Sequence, residues 1–222
     1  MNYMKKFRIS FLPLLIAVLC STGNCQQTIV FSEAEGRGPN QSYYEFEKWS
    51  FSSGGIQYEI AKNGRVSRKD ENGHSGRFRI ALKPGEEFQR AIYFSEYNND
   101  LILLCETHLG DGGAGFVTRL DRNTLKPKWR VHIPGFNIAN GTREDNAAYI
   151  AAIGFVGKIN LENGKYIWKH ENLYRKYKES GAFNIFETPQ ITGKLVVFKE
   201  EETGNQIEVN KATGKIVKVL VD

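Results

Sequence analysis

The sequence predicts an all-β chain, a small or partial propeller built from about four blade-like antiparallel sheets. Three observations carry that expectation. Segments opening on Gly-Phe-Val recur at residues 115–131 and 154–170, and in each an apolar residue, Leu120 or Ile159, lies nine positions before Trp129 or Trp168. The triplet Phe-Asn-Ile occurs at 136–138 and again at 183–185, each time ahead of an apolar run. Alternating stretches such as YIAAIGFVGKINL and KLVVF are punctuated by Asn-Gly, Thr-Gly and Asn-Asp, the mark of short strands joined by tight hairpins. Two echoes repeating in the same order point to a repeat architecture.

In chain order, residues 1–25 come first. Lys5, Lys6 and Arg8 precede an apolar stretch from Ile9 to Cys20, broken by Ser10 and Pro13, and small or polar residues follow. This is the layout of a secretory signal peptide, and it is short for a membrane span. The residues before Cys20 and Cys25 match a lipid-attachment motif poorly, so no lipid anchor is expected. Loss of the three basic residues lowers the formal charge from +5 to +2, which leaves no electrostatic case for nucleic acid. The mature region, 26–222, is long enough for one sizeable domain, secreted or periplasmic. Cys105, within LILLCE, reads as a small buried hydrophobe, and a retained Cys25 leaves a bridge between the two open.

Repeat units are expected at roughly 45–87, 88–135, 136–180 and 181–222. The first is degenerate, with Asn63-Gly64 of GGIQYEIAKNGRVSRK set against Asn163-Gly164. The second reads in full as FQRAIYFS, a turn at 98–100, LILLCETHL, the glycine-rich GDGGAG, GFVTRLD, a turn at 122–123, and KPKWRVHI. Four strands in about 45 residues is the size of one propeller blade. The third carries a short helix in its connection, ENLYRKYKE at 171–179. The fourth, GNQIEVNKATGKIVKV, has Lys218 at the tryptophan position. The charged segments KEEET and ENLYRKYKES are suited to blunting exposed sheet edges.

The stretch from Gly157 to Trp168, GKINLENGKYIW, resembles the repeat of quinoprotein-like (pyrroloquinoline-quinone-like) β-propellers, and residues 115–129 are a second copy with Leu125-Lys126 in place of Gly-Lys. The resemblance covers 88–222 better than 45–87, and such propellers usually have many more blades than fit here. It implies that Trp129 and Trp168 dock neighbouring blades, a structural role.

The glycines at 110, 112 and 115 spell G-x-G-x-x-G. A dinucleotide cradle needs a helix opening within the motif and an acidic residue about 20 positions on. Here a strand–turn–strand pattern follows, and Arg130 or Val131 stands at that position. The motif is therefore read as a lengthened hairpin loop whose tip, Gly110, Asp111, Gly112 and Gly113, is a partner contact. Asp111 and Glu106 match no calcium-loop spacing. His74, His108, His132 and His170 are scattered singly, and Cys105 and His108 fall on opposite faces of a strand. Glu200 to Glu202 read as a solvated turn. The cluster Tyr43-Tyr44-x-Phe46 reads as an irregular first strand, with a partner surface as the alternative. No catalytic, cofactor-binding or metal-ligating residue emerges, and no cofactor is expected. The expected function is non-enzymatic binding or scaffolding with a protein or glycan partner, and the alternative is a degenerate quinoprotein-type or other propeller enzyme.

Overall fold

A computed structural model describes residues 27–37, 46–110, 112–177 and 183–220. The expected signal peptide, Cys25, Tyr43, Tyr44 and Asp111 lie outside them. The described residues form four antiparallel sheets. Three very short strands come first: β1 (Thr28–Val30), β2 (Ser32–Glu33) and β3 (Glu35–Arg37). Sheet I then runs β3, β4 (Lys48–Ser53), β5 (Ile56–Ala61), β6 (Arg65–Asp70) and β7 (Ser75–Arg79). Sheet II contains β8 (Glu87–Tyr97), β9 (Asp100–Leu109), β10 (Gly112–Asp121) and β11 (Pro127–Ile133), with β2 against β8. Sheet III contains β12 (Thr142–Glu144), β13 (Ala147–Ala152), β14 (Phe155–Asn160) and β15 (Tyr166–His170), with β1 against β12. A single turn, α1 (Leu173–Lys176), leads on to sheet IV: β16 (Gln190–Thr192), β17 (Leu195–Lys199), β18 (Gln206–Asn210) and β19 (Ile216–Leu220). The helix is shorter than 171–179 because Asn172 takes a left-handed φ of 58° at its start.

Burial explains the hydrophobic patterns. In β9, Leu101, Leu103 and Cys105 pack toward sheet I while Ile102 and Leu104 pack toward sheet III. A strand covered on both faces must be apolar throughout, hence the unbroken LILLC. The same holds for β13, where Ala148 and Ile150 face sheet II and Tyr149 and Ala151 face sheet IV. Strand β5 is covered on one side, so Ile56, Tyr58 and Ile60 alternate with exposed Gln57 and Glu59. Three apolar layers result, one between each pair of consecutive sheets. Among the described residues none joins sheet IV to sheet I, and these residues form a partial β-propeller, an arc of four sheets.

Each layer holds one tryptophan whose indole N–H crosses to the next sheet. Trp49 of β4 donates to the Arg90 carbonyl at 2.7 Å, Trp129 of β11 to Leu161 at 3.1 Å and Trp168 of β15 to Lys211 at 3.2 Å. The last two indoles lie on glycines of the facing turns. A Cβ at Gly164 would sit 2.7 Å from Trp129, and one at Gly214 would sit 2.5 Å from Trp168. Both glycines have positive φ, 69° and 73°.

The amino-terminal segment holds the arc from the inside. Strand β1 pairs with β12, β2 with β8 and β3 with β4, so ten consecutive residues supply an edge strand to sheets III, II and I in turn. Phe31 and Ala34, at the crossovers, are buried and bond to the Gly141 and Ile92 carbonyls. Such a short segment can reach three sheets only because their first strands converge.

Candidate functional site

Beside β8, a polar cavity of about 610 Å³ opens between sheet II and the segments that lead into sheets III and IV, lined among others by Arg90, Tyr93, Glu106, Asn137 and Phe186. Its geometry begins with a β-bulge. The β8–β9 register shifts between Gln89 and Ile92, and Arg90 adopts φ 57°. A non-glycine residue in that region is strained, and bulges re-aim side chains. The Trp49 indole fixes the bulge by holding the Arg90 carbonyl. The Arg90 guanidinium donates to Asn137 Oδ1 and stands 4.0 Å from the Glu106 carboxylate.

Glu106 is nearly enclosed, its side chain 5% exposed, and accepts the Ile138 backbone N–H at 3.0 Å. Burial pushes its carboxyl above the usual range, and the Ile138 N–H and the Arg90 charge only partly offset this. Asn137 also has positive φ, 53°. An adjoining cavity of about 360 Å³ continues past His108, Gly113 and Phe136 to the end of the β9–β10 hairpin.

That hairpin corrects the expected loop. Thr107, His108 and Leu109 pair with Ala114, Gly113 and Gly112, so Gly112 and Gly113 are strand residues and Gly110, with φ 58°, marks the turn. The strands of this hairpin are ten residues long, against six in β13 and β14. The extra residues lengthen the ladder because small residues let the 136–138 segment lie against β10. A Cβ at Gly113 would sit 2.5 Å from Phe136 Cβ, and one at Gly115 would collide with Ile138. Leu109 and Phe136 are each 42% exposed. Trp129 and Trp168, by contrast, lie at the layers between sheets, away from this mouth.

A second correction concerns Glu200, which is fully buried while Glu201 and Glu202 are exposed. Its carboxylate accepts the Thr203 N–H at 2.6 Å and hydroxyl at 2.7 Å, folding the turn around itself. Cys105 is also fully buried, which pushes its thiol far up and away from nucleophilic use. Among the described residues, no three His, Cys, Asp or Glu side chains are grouped to hold a metal ion. No described helix is long and apolar enough to cross a membrane.

Sequence reasoning weighed Glu106 only as a calcium ligand with Asp111 and set it aside, and it missed Arg90 and Asn137. The Phe-Asn-Ile echo singled out 136–138, yet nothing local marks the bulge.

No protein-family model and no curated protein matches this chain. Among solved structures, BamB from Moraxella catarrhalis is similar, with a TM-score of 0.51 and 12% identity over 87% of this chain and 64% of BamB. The chain thus spans less than two thirds of BamB's length. The computationally designed Ika8 protein follows, with a TM-score of 0.48 and 16% identity over 82% of this chain and 50% of Ika8. A protein of unknown function from Bacteroides caccae gives 0.42 and 9% over 88% and 73%. The likeness to BamB supports a β-propeller-like fold.

Proposed function

We propose that the protein is a non-enzymatic binding or scaffold module of quinoprotein-like propeller repeats. In this reading residues 1–25 direct export to the periplasm or beyond, and 26–222 form the mature repeat domain, with units near 45–87, 88–135, 136–180 and 181–222. A protein or glycan partner is held at the convergent mouth, with Gly110 to Gly113 at its rim and Arg90, Asn137 and Glu106 at its base. Trp129 and Trp168 serve only to dock neighbouring blades.

The observation that carries the reading is the long β9–β10 hairpin, which presents exposed Leu109 near its end and packs Gly113 against exposed Phe136 at the edge of a polar cavity. Exposed apolar side chains next to a concave polar surface are the ordinary material of a protein interface. A photo-crosslinking residue at position 109 should capture one defined partner in cells, and the same residue at exposed Val217 should not. Equal capture at both positions would remove the hairpin from the interface. The enzyme alternative predicts that calcium and pyrroloquinoline quinone together raise the melting temperature; the binding-module reading predicts no shift.

A further inference from the structure

Among the described residues, the outer face of sheet I meets no other sheet. Its inner face is buried against sheet II, whereas exposed Ser52, Gln57, Glu59, Ser67, Lys69 and Arg77 point outward. Cross-strand register sets these in rows: Gln57 beside Lys69 and then Ser75, Glu59 beside Ser67 and then Arg77. Arg65 stands directly opposite Arg79. The two carboxylates on this face are engaged, Glu59 with Lys48 at 2.9 Å and Glu35 with Arg37 at 3.1 Å. Arg65, Lys69, Arg77 and Arg79 are exposed, and none of them has a carboxylate within ion-pair distance among the described residues. Like charges directly opposite on a sheet repel, so an anion lying between Arg65 and Arg79 relieves a cost present in the free protein. A shallow cavity of about 640 Å³ covers the face, with Lys69, Arg77 and several serines in its wall.

We propose that this face binds an acidic polysaccharide. Lys69, Arg77, Arg65 and Arg79 meet its carboxylate or sulfate groups, and Ser52, Gln57, Ser67 and Ser75 meet its hydroxyls. Charge complementarity requires an anionic occupant, and arginine forks match carboxylate and sulfate in pairs of hydrogen bonds. No outward position on β4–β7 is aromatic or large and aliphatic, which disfavours an apolar helix or a stacked neutral sugar. Strands β5 and β6 are paired on both sides, so their backbone is closed to a peptide that would bind as an added strand. A sugar chain needs only the side-chain donors the face presents.

The test uses the purified chain on surfaces carrying polygalacturonate, heparin, neutral dextran or poly-glutamate. The chain should bind at least one of the two acidic polysaccharides, more weakly as salt rises, and should ignore dextran. Changing Arg65, Lys69, Arg77 and Arg79 together to Ser should weaken that binding about tenfold or more. A charge-matched control, Lys165, Lys194, Lys215 and Lys218 all changed to Ser, should stay within roughly twofold, as should Leu109→Asp in the hairpin. All these positions are exposed, so every variant should melt as the parent does. Equal losses in the two quadruple variants, tighter binding of poly-glutamate than of either polysaccharide, or binding to neither polysaccharide would each overturn the proposal. A failure of the hairpin reading instead shows only in crosslinking at position 109.

Discussion

Gly214 and Gly73 close matching turns in opposite surroundings. Each bonds back to the residue four or three positions earlier, Asn210 or Asp70, and each has positive φ, 73° and 82°. A Cβ at Gly214 would press on Trp168, whereas one at Gly73 would meet nothing within 4 Å. Gly73→Ala should therefore cost about 1 kcal/mol of backbone strain, and Gly214→Ala about 2–4 kcal/mol, because the indole must also move. Urea denaturation of both variants checks this, and equal losses would mean that the indole relocates freely. Leu125 shows the complementary solution. It holds the equivalent turn position of sheet II at φ 57°, and no tryptophan stands on β7 to cover it. Its own side chain, 1% exposed, fills the layer instead. Glu200 carries a pH prediction. Burial alone would push its carboxyl up, but hydrogen bonds from the Thr203 hydroxyl and N–H and from Ile185 hold it below the usual range. Its stabilisation is therefore complete above the ordinary carboxylate range and is lost as pH falls through the lower, folded-state value. Glu200→Gln should destabilise at neutral pH by about 2 kcal/mol and should flatten the acid limb of the stability curve. An unchanged acid limb would assign that limb to other carboxylates.

Among elements, the strap formed by β1, β2 and β3 has the largest consequence. Its side chains alternate too loosely to announce strands, and its pairings are to residues 11 to 116 positions away. What fixes it is the burial of Phe31 at 2% exposure, against Gly141 and Leu104 in the layer between sheets II and III. Phe31→Ala should lower stability by about 3–5 kcal/mol, measured by chemical denaturation. A loss below about 1 kcal/mol would show that the strap docks without supporting the sheets. The β9–β10 hairpin teaches a related point. Its glycines suggest a loop when read alone, yet Gly113 and Gly115 are strand residues, because Phe136 and Ile138 need the space where their Cβ atoms would stand. Only the partner segment reveals that need.

At the scale of the molecule, three tryptophans report on three layers, one each. Variants retaining a single tryptophan, with the other two changed to Phe, should let fluorescence follow each layer separately. Sheets I, II and III share the strap and sheet IV does not, so the Trp168 signal should change at lower denaturant than those of Trp49 and Trp129. Coincident transitions would mean that all four sheets unfold as one unit. The sequence by itself determined the strands, the tight turns and the repeated tryptophans. These depend on chemistry within a few residues: alternation, positive-φ glycines, and an apolar run wherever both faces are covered. That LILLC and AAYIAA are covered on both faces, and IQYEI on one, emerged only from the packed sheets. Only the tertiary structure decided that no apolar layer joins sheet IV to sheet I among the described residues, that residues 28–37 strap sheets I to III, and that Arg90, Glu106 and Asn137 meet at one mouth. Those three residues come from segments far apart in the chain, and a bulge held by an indole from another sheet aims the first of them. Such contacts depend on which sheet faces meet, and that is a property of the packed whole.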